Sequence, residues 1–174
     1  GFARQYPTRF FDVGIAEEHA VTFASGMADG GLLPVFAVYS TFLQRSYDQL
    51  INDAALMHTH IVLAIDRAGI VPDDGETHQG IFDVPMLATI PGVTVYAPAS
   101  FRELRLHLRQ ALYDTDGIAA VRYPKGGEHP LLEGYEPVYE PFEHIDGRTR
   151  EMLVITYGRS YGEVLAVVRQ RSQN

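Results

Sequence analysis

The sequence predicts an α/β fold, a doubly wound and mainly parallel sheet with helices on both faces. Three observations carry this expectation. Short β-rich runs alternate along the chain with amphipathic stretches. The runs are apolar throughout, as strands covered on both faces of a parallel sheet require. The stretches between them repeat their apolar residues at helical spacing.

The elements follow in chain order. Residues 10–13 (FFDV) read as the end of a buried strand, Gly14 as the turn after it, and Ala20, Phe23, Ala24 and Met27 as one face of a helix. Residues 34–39 (PVFAVY) predict the next strand, and Leu43, Tyr47, Leu50, Ile51 and Ala54 the buried side of the helix behind it. Further strands are expected over residues 60–65, 93–97 and 118–123. Leu104, Leu108, Ala111 and Leu112 mark a helix between the last two, with Ser100 as N-cap and Glu103 as its capping-box partner. At Gly126 the pattern stops. Residues 126–151 are rich in Gly, Pro and Glu, repeat Tyr-Glu-Pro at 135–137 and 139–141, and read as an extended linker. A strand over 152–157 and a helix from about Tyr161 to Arg171 then read as the opening βα unit of a second domain. The expected division is therefore a first domain over 1–125, a linker over 126–151, and the start of a truncated second domain over 152–174.

Composition narrows the function. With 174 residues, 46% of them hydrophobic, the chain can bury one sizeable core and belongs with ordinary globular proteins. A net charge of −8 speaks against non-specific nucleic-acid binding and against an anionic membrane partner. Local cations can still hold an anionic substrate. The absence of Cys excludes disulfides, thiolate catalysis and Cys-based metal sites. The longest clean apolar run, residues 61–65, is far too short to span a bilayer, and no signal segment stands at the start, so a cytoplasmic protein is expected. The chain opens on Gly1 and stops just after a helical pattern, which reads as a piece of something larger.

Four segments carry chemistry. In Asp12-Val13-Gly14-Ile15-Ala16-Glu17-Glu18-His19 an acid stands on the opening turn of a helix, just past an expected strand end, where open α/β sheets place their ligands. By itself such an acid complements the helix dipole. In Tyr39-Ser40-Thr41-Phe42-Leu43-Gln44-Arg45, taken alone, Phe42 is a core residue and Arg45 one half of a surface ion pair. The loop Asp66-Arg67-Ala68-Gly69 to Asp73-Asp74-Gly75-Glu76-Thr77-His78-Gln79-Gly80 follows a buried strand and brings together types suited to a sugar phosphate. Arg67 offers a planar fork for phosphate; Asp74 and His78 can hydrogen-bond or exchange protons with hydroxyl and carbonyl oxygens. Asp74 and His78 also have the spacing of a metal pair but lack a third ligand nearby, so no metal ligand is assigned. Lys125, in Arg122-Tyr123-Pro124-Lys125-Gly126, closes the last strand as a cation, and His58 and His60 read as structural or surface residues.

Together, in this order and spacing, these segments resemble the pyrimidine-binding domain of transketolase-like thiamine-diphosphate enzymes, most closely the 1-deoxy-D-xylulose-5-phosphate synthase family. The resemblance extends from Phe10 through the linker into residues 152–168. It implies that Glu17 hydrogen-bonds the cofactor's aminopyrimidine and favours the imino tautomer that activates the thiazolium carbon, with an apolar pocket around the carboxyl. Glu18 stands where Gln is more usual, which leaves open which carboxylate acts. Phe42 matches the aromatic that stacks on the aminopyrimidine; Tyr39 and Arg45 match residues lining the same pocket. Arg67 and Lys125 match the pair that holds the aldehyde's phosphate, the second usually being Arg, and Asp74 and His78 match substrate-side residues. Glu17 and His78 are the implied catalytic pair.

The implied reaction joins pyruvate to glyceraldehyde 3-phosphate with loss of carbon dioxide, feeding isoprenoid, thiamine and pyridoxal synthesis, in a homodimer. The Gly-Asp-Gly…Asn motif that binds magnesium and diphosphate in this family does not occur here; it is expected on a separate N-terminal domain, so the chain alone is expected to lack activity. The pyrimidine half of a transketolase or of a 2-oxoacid dehydrogenase β subunit, and a non-catalytic assembly module on the same fold, stay open at this point.

Overall fold

The computed structural model describes residues 1–137 and 153–172. Four parallel strands form one sheet: β1 (Val35–Tyr39), β2 (Ile61–Asp66), β3 (Val93–Tyr96) and β4 (Ile118–Arg122), in the order β1-β2-β4-β3. Besides a short helix at Phe2–Gln5 and short 3₁₀ turns, the helical segments that accompany them are α1 (Glu17–Asp29), α2 over residues 40–55, α3 (Asp83–Ala88) and α4 (Phe101–Tyr113). A further helix, α5 (Ser160–Ser172), lies beyond the undescribed segment.

The side-chain period of two on the central strands builds a core on each face of the sheet. Ile61, Leu63 and Ile65 of β2 and Ile118 and Ala120 of β4 point one way, toward Val21 and Ala24 of α1, Leu43, Leu50 and Ala54 of α2, and Leu87 of α3. Val62 of β2 and Ala119 and Val121 of β4 point the other way, onto Leu104, Leu108, Ala111 and Leu112 of α4. The expected α4 face is therefore the one buried, and its capping box forms: Ser100 Oγ accepts from the Glu103 amide at 3.1 Å, while Glu103 reaches back to the Ala99 amide at 2.6 Å.

Several expectations need correction. Residues 10–13 are not a strand. Phe10 is extended, but it and Phe11 are about half exposed and pair with no neighbour in the sheet. Aromatic and β-branched residues favour extended backbone whether or not a ladder partner exists; here Phe11 packs edge-on against Phe23, centroids 5.5 Å apart. The buried face of α1 runs through Glu17, Ala20, Val21, Ala24 and Ser25, with Phe23 left outward. Full two-sided burial holds for the inner strands β2 and β4, whereas β1 and β3 are edges and Val35 is half exposed. The α2 stretch is helical but irregular, passing from α (Ser40–Leu43) through a 3₁₀ turn (Gln44–Ser46) and one α-turn (Tyr47–Gln49) into a π-helical turn (Leu50–Ala55).

The stretch expected to be an extended linker is ordered in its first dozen residues. Pro130–Leu132 forms a 3₁₀ turn that buries Leu132 completely, and Tyr135 meets Tyr161 of α5 at 5.8 Å. Linker residues 138–151 and residue 152 of the expected second-domain strand lie outside the described residues. Residues 153–157 pair with no strand among the described residues. The α5 helix, expected from about Tyr161 to Arg171, spans Ser160–Ser172.

Candidate active site

Parallel strands point their carboxyl ends the same way, so the segments after β1, β2 and β4 share one rim of the sheet. Tyr39 is opposite Asp66, and Ile65 opposite Arg122. All the segments singled out from sequence project from this rim or from the start of α1 beside it.

Glu17 opens α1 and is buried, while Glu18 is exposed; the helix turn itself sorts the two acids. Gly14, at φ +69°, makes the turn before it, and its amide bonds the Asp12 carboxylate at 2.9 Å. Arg45 of α2 donates through one Nη to both Glu17 oxygens, at 3.1 and 3.2 Å. The pocket expected to be apolar around Glu17 therefore contains a cation. Arg45 also lies 5.1 Å above the Phe42 ring. Phe42 stacks on Tyr39 with centroids 5.6 Å apart and planes within 9°, and His78 meets Phe42 edge-on at 5.3 Å. One aromatic wall thus joins the acid of α1 to the loop after β2.

The second half of the site is a charge cluster. Arg67 sits at φ +57°, held by its bonds to the neighbouring Asp66 carboxylate through both backbone and side chain. Its guanidinium covers the Tyr39 ring at 3.8 Å and donates to Asp74 at 3.2 Å. Lys125 takes the other Asp74 oxygen at 2.6 Å. Burial works against the charge on Arg67, but Asp66, Tyr39 and Asp74 outweigh it and hold its pKa above the ordinary value. The Lys125 bond, followed by that from Arg67, holds the Asp74 carboxyl below its usual 3.8.

A depressed carboxylate pKa contributes stability that is complete above the unfolded value and is lost as pH falls through the folded one. The Lys125–Asp74–Arg67 clamp is therefore expected to persist through pH 3.8 and open only below it. Carbon-13 titration of the Asp74 carboxyl checks this; a midpoint at or above 3.8 would mean that the clamp is not formed in solution.

Sequence reasoning missed the residues that shape the loop. The Gln79 side chain accepts from the Val71 amide at 2.7 Å and donates to the Val71 and Gly75 carbonyls at 2.9 and 2.7 Å, closing residues 71–79 on themselves. Gly80 crosses under Arg67, where a Cβ would come within 2.0 Å of the Arg67 carbonyl. Asp83, fully buried at the start of α3, takes Arg122 at 2.8 and 3.3 Å and so ties the loop to the end of β4. A charge ending an otherwise apolar strand, as Arg122 does, was the available signal for a buried partner. His60 is structural as expected, both ring nitrogens facing the carbonyls of Gly117 and Leu112, and His58 is exposed.

The sequence pattern of the transketolase pyrimidine-binding domain matches residues 1–127. The chain belongs to that family. Curated relatives of this pyrimidine-binding domain include the 1-deoxy-D-xylulose-5-phosphate synthase of Chlorobaculum tepidum, 60% identical over 125 residues, and that of Pseudomonas paraeruginosa, 47% identical over 168 residues. These matches cover 72% and 95% of the chain but only 20% and 27% of the relatives' own length. A solved structure described as a split-gene transketolase in an inactive β4 tetramer superposes with a TM-score of 0.64 at 27% identity, covering 72% of this chain and 40% of that one. Transketolase from Leishmania mexicana, at 22% identity and a TM-score of 0.59 over 63% of this chain and 16% of that one, shares the fold. No helix among the described residues is long and apolar enough to cross a membrane.

Proposed function

We propose that this pyrimidine-binding domain is the aminopyrimidine half of a 1-deoxy-D-xylulose-5-phosphate synthase, a thiamine-diphosphate-dependent transferase that condenses pyruvate with glyceraldehyde 3-phosphate and releases carbon dioxide. The observation that carries the reading is a buried acid, Glu17, joined through Arg45 to the Tyr39–Phe42 stack and the His78 edge. The name shared by relatives at 47% and 60% identity supports it.

The residues present fit the cofactor. A planar heteroaromatic needs an aromatic wall and an acid against a ring nitrogen, and Phe42 and Glu17 are of those types. Thiamine diphosphate, when bound, supplies the carbon nucleophile that takes up the acyl group of pyruvate. Glu17 serves the aminopyrimidine nitrogen, Phe42 supplies the stacking surface, and Tyr39 and Arg45 complete the pocket. Magnesium and the diphosphate belong, on this reading, to a partner domain, and the assembled enzyme is a homodimer. On the substrate side, Arg67 and Lys125 hold the aldehyde's phosphate while His78 and Asp74 address its hydroxyl and carbonyl oxygens.

Steady-state kinetics of the complete protein test the assignment. Arg67→Ala is expected to raise KM for glyceraldehyde 3-phosphate by roughly ten- to a hundredfold, the loss of one charge-assisted contact, while leaving that for pyruvate nearly unchanged. Lys125→Arg is expected to hold or improve the aldehyde's affinity, because it restores a bidentate fork. Equal effects of Arg67→Ala on both substrates would assign the residue to the loop and not to the phosphate. A transketolase reading is favoured only by the structural likeness at 27% identity. Its donor would be a ketose phosphate, and failure of pyruvate as donor would select it.

A further inference from the structure

The two cations of the proposed phosphate grip are already spoken for. Arg67 is bonded to Asp66 and Asp74, and Lys125 to the other oxygen of Asp74, so two positive charges face two negative ones. A phosphate dianion approaching such a cluster gains little net attraction, because each cation must be shared with a carboxylate. The cleft in front of them, about 360 Å³ in volume, has a third cation on its wall, Arg159.

Arg159 comes from outside the matched domain, at the turn into α5, and it is held in place by its neighbours. The Gly158 amide donates to the Ala97 carbonyl at 3.1 Å, just past β3. Gly162 lies so close to His129 that a Cβ there would meet that ring's atoms at 2.5 Å. Arg159 itself donates to the Lys125 carbonyl at 3.4 Å, and among the described residues no carboxylate pairs with it. Glu128, which also lines the cleft, has one oxygen committed to the Phe101 amide at the start of α4, at 2.7 Å.

We infer that Arg159 is a phosphate-binding residue of this cleft, supplying the uncompensated positive charge that Arg67 and Lys125 lack. It also restores, from beside the Lys125 backbone, the planar two-pronged donor that a lysine at position 125 does not offer. The inference rests on the substrate reading above, since it gives the phosphate of that substrate its third partner.

Phosphorus-31 line broadening of glycerol 3-phosphate, titrated with the full chain, tests it. Arg159→Ala is expected to weaken binding at least tenfold. Arg159→Gln, which keeps a donor for the Lys125 carbonyl, is expected to lose as much, and Arg159→Lys less. Amide spectra showing the His129 and Tyr161 signals unmoved in the Gln variant establish that the fold is kept. Weakening by Arg67→Ala with none by either neutral Arg159 variant overturns the inference and leaves the substrate reading standing. Weakening by Arg159→Gln with none by Arg67→Ala keeps the cation and removes that reading. No binding by the unmutated chain at millimolar ester overturns both.

Discussion

Replacing Asp83 by alanine is expected to cost the chain about 3–5 kcal/mol of stability, the penalty for leaving one member of a buried ion pair without its partner. Asp83 has no exposed side-chain surface, and the Arg122 side chain opposite it is only 11% exposed. Among the described residues, the truncation leaves a guanidinium at the end of β4 with only the Gly80 carbonyl, at 3.5 Å, as a hydrogen-bond acceptor and the Tyr157 ring 5.8 Å away, neither of them a counter-charge. Because the pair joins the loop after β2 to β4, loosening should appear first in the amides of residues 67–80, and hydrogen exchange there should quicken before the core does. Urea unfolding gives the total. A loss below about 1 kcal/mol would mean that water reaches Arg122 and that the pair is not buried in solution. Replacing both partners by apolar residues of similar size should cost much less than the single change, since no charge is then left behind.

The second large effect concerns chemistry. In the complete protein, Glu17→Ala is expected to slow hydrogen–deuterium exchange at the thiazolium carbon of bound thiamine diphosphate by about 10²–10⁴-fold, the usual range for a positioned acid or base. On the proposed reading cofactor affinity should change far less, because the Tyr39–Phe42 stack is untouched and the diphosphate is anchored on a partner domain. Glu18→Ala should leave exchange at its original rate, since that side chain faces solvent. If Glu17→Ala exchanges as fast as the unmutated protein, the activating role belongs to another group. Fold effects should be small: Arg45, the partner left behind, keeps 48% of its side chain in solvent.

Much of the architecture was legible because burial on both faces leaves an unmistakable trace. The residues of β2 and β4 are apolar at every position but the last, which can only be satisfied inside a parallel sheet. The α4 helix declared both its buried stripe and its cap. Residues 10–13 carried the same signal without a partner strand, and nothing local distinguishes an extended segment that pairs from one that does not. Leu132 was hidden by the Gly and Pro residues around it, which suggested an open chain where a single turn seals the core.

In the site, the residue types of Glu17, Phe42, Arg67 and His78 could be singled out from spacing and resemblance. The arrangement could not. That Arg45 would grip Glu17, that one carboxylate would bridge Arg67 and Lys125, and that Asp83 would find Arg122 39 positions away are consequences of topology. Charges look alike in a sequence whether they meet water or each other.

The strand order has a further consequence, for the length of the molecule that the site accepts. Tyr39 ends β1 and Lys125 follows β4, two strands away across β2. Neighbouring strands lie about 4.8 Å apart, so these ends are separated by roughly 10 Å of hydrogen-bonded backbone. On the proposed reading the phosphate rests between Arg67, whose guanidinium covers the Tyr39 ring at 3.8 Å, and Lys125, so the acceptor is confined within that spacing, and a sugar several carbons longer would have to leave the rim.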